Sequence, residues 1–150
     1  MQEEKLKVKR LSNVLKTKRF VQEKLTNQLK HLQAEWTRAV NDLEECKKAY
    51  FMGVQKLNVI RQSPLREGVE IFDSGLDAVK EAWMLVFHRK QDIDQKMATL
   101  TQDIHFMQMQ IEAVEKMQGK YKDQIKKSLD KKEQEHIDAF YGVKIQKGSP

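Results

Sequence analysis

Two prolines, six glycines and one cysteine are all that this chain of 150 residues holds for sharp turns or covalent staples. Pro150 is the last residue, so Pro64 is the one proline a long interior helix would meet. A lone Cys46 excludes an internal disulfide. Its expected role is that of a small buried hydrophobe, and a reducing compartment is the mild implication. Long apolar runs are missing too. The longest, Ala82 to Phe87, is six residues, far short of the roughly 20 that span a bilayer. Nothing at the N-terminus reads as a secretory signal. The expectation is a soluble, cytoplasmic protein with no direct membrane insertion.

Sites for chemistry are equally scarce. There is no Gly-rich phosphate loop, no G-x-S-x-G and no C-x-x-C. His31, His88, His105 and His136 have no partner at metal-ligand spacing, and Asp92 and Asp94 fall on different faces of a helix. The expectation is therefore no enzyme activity, no metal and no cofactor.

What the chain does have is charge, 33% of its residues, and heptads. Steps of three and four pick out Val8, Leu11, Leu15, Lys18, Gln22, Leu25, Leu29, Leu32, Trp36, Ala39, Leu43, Cys46, Tyr50, Gly53, Leu57 and Ile60. After the Ser63-Pro64 break they pick out Val69, Phe72, Leu76, Val79, Trp83, Val86, Lys90, Ile93, Met97, Leu100, Ile104, Met107, Ile111, Val114, Gln118, Tyr121 and Ile125. Such runs fit helices that bury a narrow seam against another helix. Pro64 cannot continue a helix, because it lacks an N–H and its ring clashes with the preceding turn. The predicted fold is all-α: two long antiparallel helices forming a coiled-coil hairpin rod, as a single domain over 1–150. Helix one is expected over about 3–62, the turn over about 63–68, helix two over about 69–141 and a short tail over 142–150, with Gly142 among the residues that end the helix.

Matching the arms about the turn places Leu57 near Phe72 and Val8 near Tyr121, so residues beyond about Ile125 overhang the N-terminus. Four seam positions are polar: Lys18, Gln22, Lys90 and Gln118. Lys18 and Gln22 are expected near the level of Gly119. These residues either fix the register at some cost in stability or form a functional polar layer. Off the seam, Phe51, Met52, Val54 and Val59 lie near the turn in helix one. Ile71, Met84, Leu85 and Phe87 do so in helix two, and Phe106, Met109 and Met117 come later. They either widen the core or expose a docking surface.

The net charge of +6 is unevenly spread. Residues 1–20 carry seven Lys/Arg and two Glu, and residues 116–150 carry nine Lys and five Asp/Glu. A hairpin sets these segments side by side and makes its terminal end strongly basic. That polarity favours an oriented contact with an acidic protein groove, an anionic membrane or nucleic acid; a solvated charged face is the plainer alternative.

Two segments carry a likeness to a known family. They are Leu11-Ser12-Asn13-Val14-Leu15-Lys16-Thr17-Lys18 and the charged run Asp130-Lys131-Lys132-Glu133-Gln134-Glu135-His136-Ile137-Asp138-Ala139-Phe140. With the plan of about sixty helical residues, a break and about seventy-five more, the chain resembles the FliJ/YscO-type stalk proteins of flagellar and type III secretion export apparatus. The resemblance implies a two-helix antiparallel coiled coil that enters and stimulates the hexameric export ATPase, contacts the export-gate membrane protein and escorts export chaperones. It implies a cytoplasmic location peripheral to the inner-membrane export apparatus. Lys9, Arg10, Lys16, Lys18 and Arg19, with Lys126, Lys127, Lys131 and Lys132 opposite, would then bind the ATPase, a basic stalk end in an acidic pore. The family's gate patch is an aromatic, a leucine four on, a small residue three further and a histidine four after that. Phe72 and Leu76 match it, while Val79 and Trp83 depart from it. All four are also seam positions, so a structural role is equally open.

Two other readings compete with the stalk. A cytoplasmic scaffold or tether would self-associate through Trp36, Trp83 and their neighbours, whereas a hairpin with a full seam should be monomeric alone. Nucleic-acid binding is disfavoured, because the basic termini lack interleaved aromatics and carry diluting acids.

Overall fold

Residues rich in Lys, Glu, Gln, Leu and Met lose little side-chain freedom in a helix, and this chain uses them almost without interruption. The computed structural model describes residues 1–62 and 68–147, with 143–147 described by backbone alone. It contains two helices, α1 (Gln2–Gln62) and α2 (Val69–Lys147). The expected break at Ser63-Pro64 and most of the expected turn lie outside the described residues.

The helix ends have local causes. Glu3 and Glu4 occupy the first turn of α1 and Arg61 its last turn, which complements the helix dipole. Gly68 has φ of 92° and its carbonyl accepts the Phe72 N–H at 3.0 Å. A left-handed residue is cheap only as glycine, so Gly68 sets the point where α2 can start. At the other end the helix runs past the expected stop near residue 141. Gly142 lies inside α2, because a glycine weakens a helix by about 1 kcal/mol but ends it only by adopting a positive φ. Hydroxyls within the helices are satisfied locally: Thr17, Thr37, Thr99 and Thr101 each donate to the carbonyl four residues back.

Both helices contribute to two compact units. Unit 1 comprises Met1–Lys24 and Ile104–Pro150, and unit 2 comprises Leu25–Asp103. In unit 1, the Gln118 amide donates to the Val8 carbonyl at 3.1 Å and to Ser12 Oγ at 2.6 Å. Lys18 Nζ donates to Gln110 Oε1 at 2.9 Å, and Gln22 Nε2 donates to Gln108 Oε1 at 2.6 Å. In unit 2, Trp36 meets Asp94, Asp42 meets Arg89, and Arg61 meets Asp73. In both units the α2 numbers fall as the α1 numbers rise, so the helices run antiparallel.

The buried positions are the seam. Leu15 and Ile111 in unit 1, and Ala39, Leu57 and Ile93 in unit 2, are the buried apolar residues, with Ala39 at 0% exposure. Every other seam position is half-buried except Gln118, which is buried, and Phe72, which is exposed. Two helices cannot enclose a side chain from all sides. Each seam residue therefore gains only part of the ~1.5–3 kcal/mol that full burial of a large apolar side chain contributes.

The polar seam positions are all engaged. Gln118 is 7% exposed and holds two groups of α1. Lys90 Nζ sits 5.7 Å from the Trp36 ring centroid and 3.2 Å from Asp94 Oδ2, while Trp36 Nε1 donates to Asp94 Oδ1 at 2.8 Å. Lys18 and Gln22 do not reach the level of Gly119 as expected. They meet Gln110 and Gln108 instead, because Gln118 is already matched to Val8 and Ser12 and the pairing steps down α2 from there.

Candidate partner interfaces

Positions one residue past the seam form one flank in an antiparallel pair, and in unit 1 that flank is basic. On α1 it reads Lys5, Lys9, Ser12, Lys16 and Arg19, at steps of four and three. On α2 the same flank carries Lys122 and Lys126 near the start of α1, and Glu112 and Glu115 further along. The flank changes character at Arg19, whose guanidinium pairs with Glu115 at 2.7 Å. Lys5, Lys9, Lys16, Lys122 and Lys126 are all exposed. Lys7, one residue before the seam, stands on the opposite flank with its ammonium 5.2 Å from the Tyr121 ring centroid. At the head of the unit the N-terminal ammonium sits 2.8 Å from the Glu4 carboxylate, and its hydrogen bond holds that carboxyl below its ordinary value.

The expected ATPase-binding residues divide on this geometry. Lys9, Arg10 and Lys16 are exposed. Lys18 is half-buried against Gln110, and Arg19 is tied to Glu115, so both are engaged within the hairpin. Lys126, Lys127, Lys131 and Lys132 are not opposite the basic residues of α1 as expected. Tyr121 already stands at the level of Lys7, so the register carries these four lysines to the start of α1 and beyond it. None of residues 126–142 is buried. Lys5 and Lys122 belong to the basic flank and are absent from the sequence-based set. Extending the heptad count to the row beside the seam finds them.

Of the expected gate residues, Leu76, Val79 and Trp83 turn into the seam, while Phe72 is exposed. Leu76 packs against Gly53, where an added Cβ would collide with the leucine side chain. Trp83 lies against Tyr50 with ring centroids 5.5 Å apart. Val79 and Trp83 are half-buried, and Phe72 is the most open of the four.

The off-seam apolar residues resolve differently. Val54 is half-buried and widens the core. Phe51, Met52, Val59, Ile71, Met84, Leu85 and Phe87 are exposed, as are Phe106, Met109 and Met117. A side chain one position off the seam is rotated by about 100° around its helix, and no second layer exists to meet it. In unit 2, Met52, Lys56, Ile71, Phe72 and Gly75 border an open groove of about 550 Å³.

His31, His88, His105 and His136 are exposed. Among the described residues no group of three or more His, Cys, Asp or Glu side chains could hold a metal ion. No described helix is long and apolar enough to cross a membrane. Fold and site together define a class, an all-α helical hairpin with polar and apolar outer flanks. No family model, curated protein or solved structure matches the chain.

Proposed function

We propose that this chain is a non-enzymatic stalk of a flagellar or type III protein export apparatus, working from the cytoplasmic side of the inner membrane. Its unit 1 inserts into and stimulates the hexameric export ATPase. Contacts with the export gate and with export chaperones fall to the turn-proximal part of unit 2. The observation that supports the reading is the charge contrast between the units. Unit 1 carries 17 Lys/Arg against 10 Asp/Glu, while unit 2 carries 11 against 12. The excess in unit 1 is arranged as an exposed stripe, which suits docking in an acidic pore and steers the encounter.

The test is ATP hydrolysis by the export ATPase of the same organism, with and without this protein, alongside light scattering. Stimulation by a particle near 17.7 kDa is the expected result. Reversing Lys9, Lys16, Lys122 and Lys126 to Glu should abolish stimulation while the helical circular dichroism is retained. No stimulation together with a dimeric mass would replace the stalk by a self-associating scaffold.

A further inference from the structure

Acidic side chains are sorted by flank in unit 1. Residues 5–24 and 104–122, the paired stretch, hold three carboxylates, Glu23, Glu112 and Glu115, and each stands one residue past a seam position. Arg19 pairs with Glu115 at 2.7 Å on that flank, so the positions one residue before the seam share the other one. There α1 carries Arg10, Val14, Thr17, Val21 and Lys24, and α2 carries Phe106, Gln110, Ala113, Met117 and Lys120. These ten positions hold five apolar residues, three cations and no carboxylate. Arg10, expected to act with Lys9 and Lys16, is set apart from them on this second flank.

Contacts between the helices fix the levels. Gln118 meets Val8 and Ser12, and Gln22 meets Gln108. Met117 therefore falls beside Arg10 and Val14, and Phe106 beside Val21 and Lys24. The inner members of the two rows form a floor: Val21 and Gln110 are half-buried, Val14 is 40% exposed and Met117 49%. The outer members stand above it. Phe106 is 60% exposed, and Arg10, Lys24, Ala113 and Lys120 are exposed as well. The strip is recessed along its middle and rimmed by cations, Arg10 and Lys120 at one end and Lys24 at the other. From Arg10 to Lys24 it is about 21 Å long at 1.5 Å per residue, the length of about two heptads of helix.

A cation on the floor lacks a counter-charge too. Lys18 is half-buried, and its ammonium turns to Gln110 Oε1 at 2.9 Å on this flank. Neither it nor Arg10, Lys24 or Lys120 forms an ion pair among the described residues. Covering these cations costs free energy unless carboxylates meet them, so the strip selects an occupant that is apolar along its middle and acidic at its edges. A second copy laid face to face across a two-fold axis would set Arg10, Lys24 and Lys120 against their own copies, and the rim opposes it. A bilayer is a plane and does not follow a recessed floor, whereas a helix about 10 Å across does.

We propose that this flank of unit 1 receives an acidic amphipathic helix of another protein, about two heptads long, with its apolar stripe on Val14, Val21 and Met117 and Glu or Asp along both edges toward Arg10, Lys24 and Lys120. Phe106 and Ala113 line its α2 edge. The site lies on the flank opposite Lys9, Lys16, Lys122 and Lys126. Its binding is read without any ATPase, so it stands or falls apart from the stalk reading.

The test uses the full chain and two labelled synthetic helical peptides of about 16 residues. Both have leucine at the heptad a and d positions; one has glutamate on the flanks and its twin has lysine. Fluorescence anisotropy should show the glutamate peptide binding at least about tenfold more tightly than its twin. Two charge-reversal variants of equal net charge locate the site. Arg10→Glu with Lys24→Glu and Lys120→Glu should abolish that preference, while Lys9→Glu with Lys16→Glu and Lys122→Glu should retain it. Phe106→Ala with Met117→Ala, both at exposed positions, should weaken the glutamate peptide by at least about tenfold with helical circular dichroism unchanged. Equal binding of the two peptides, or an equal loss in both charge-reversal variants, overturns the proposal. So does indifference to the Phe106 and Met117 substitutions, which would leave charge alone as the attraction. A chain that binds neither peptide but sediments with phosphatidylglycerol vesicles also overturns it and makes a bilayer the occupant.

Discussion

Replacing Gln118 by alanine should cost unit 1 about 2–3 kcal/mol. The side chain is the one polar group buried among the described residues, and it donates to both the Val8 carbonyl and Ser12 Oγ. Each bond is worth about 1 kcal/mol net, and the lost methylene adds about 0.8 kcal/mol. Ser12→Ala removes one bond at an exposed hydroxyl and should cost about 0.5–1 kcal/mol. The double variant should then be less destabilised than the two single costs together, by about 0.5–1 kcal/mol. Gln118→Leu loses the same bonds but seats apolar surface on the seam, so it should fall within about 1 kcal/mol of the wild type. Urea unfolding followed by circular dichroism reads all four. At a urea dependence of about 2 kcal/mol per molar, Gln118→Ala moves the midpoint down by about 1 M or more. A shift equivalent to less than about 0.5 kcal/mol, with no coupling to Ser12, would refute the view that Gln118 holds the pairing of Val8 and Ser12 with α2.

The glycines give a contrast of sign. Gly119→Ala should stabilise by about 0.5–1 kcal/mol because a Cβ there meets nothing, while Gly53→Ala must displace Leu76 and should lower the thermal midpoint. Deleting the residues after Ile125 should leave the unfolding midpoint of the remainder within about 1 kcal/mol of its original value, since nothing from 126 to 142 is buried; a larger fall would mean the extension packs. Asp42→Asn, which breaks the exposed pair with Arg89, should cost no more than about 1 kcal/mol, and that small cost should shrink further in high salt.

The seam was legible because its period is a property of the helix itself. A side chain that recurs every three or four residues must return to one face, so Val8, Ala39, Ile93 and Ile125 are placed by their spacing alone. Phe72 is the one exposed seam position, 38% open. The flanks were harder. Viewed singly, Ile71, Met84 and Leu85 are only stray apolar residues near a turn. The small residues between them, Gly75, Ala78 and Ala82, carry no hydrophobic signal, and they alone turn Ile71 and Leu85 into a row. Lys5 and Lys122 were hidden in the same way, since a summed charge locates an end of the chain and not a face. The depth of Lys18 and Arg19 could not come from composition. It depends on which α2 residue stands across from each, Gln110 and Glu115, and so on the register. Gly142 misled because glycine permits a left-handed stop without requiring one.

Only five apolar side chains are buried among the described residues, and most of the seam is half-buried. The Trp83 ring lies against Tyr50 and is still only half-buried. An interior of this kind is half an interior, and a helix laid against it would complete it. A partner laid against half-buried seam residues would cover them with the same atoms that it uses to bind. Its free energy of association would then also be a gain in folding free energy, about 2.7 kcal/mol at a partner concentration one hundred times its Kd. For such a chain, how firmly the two helices hold together is set partly by the company the protein keeps.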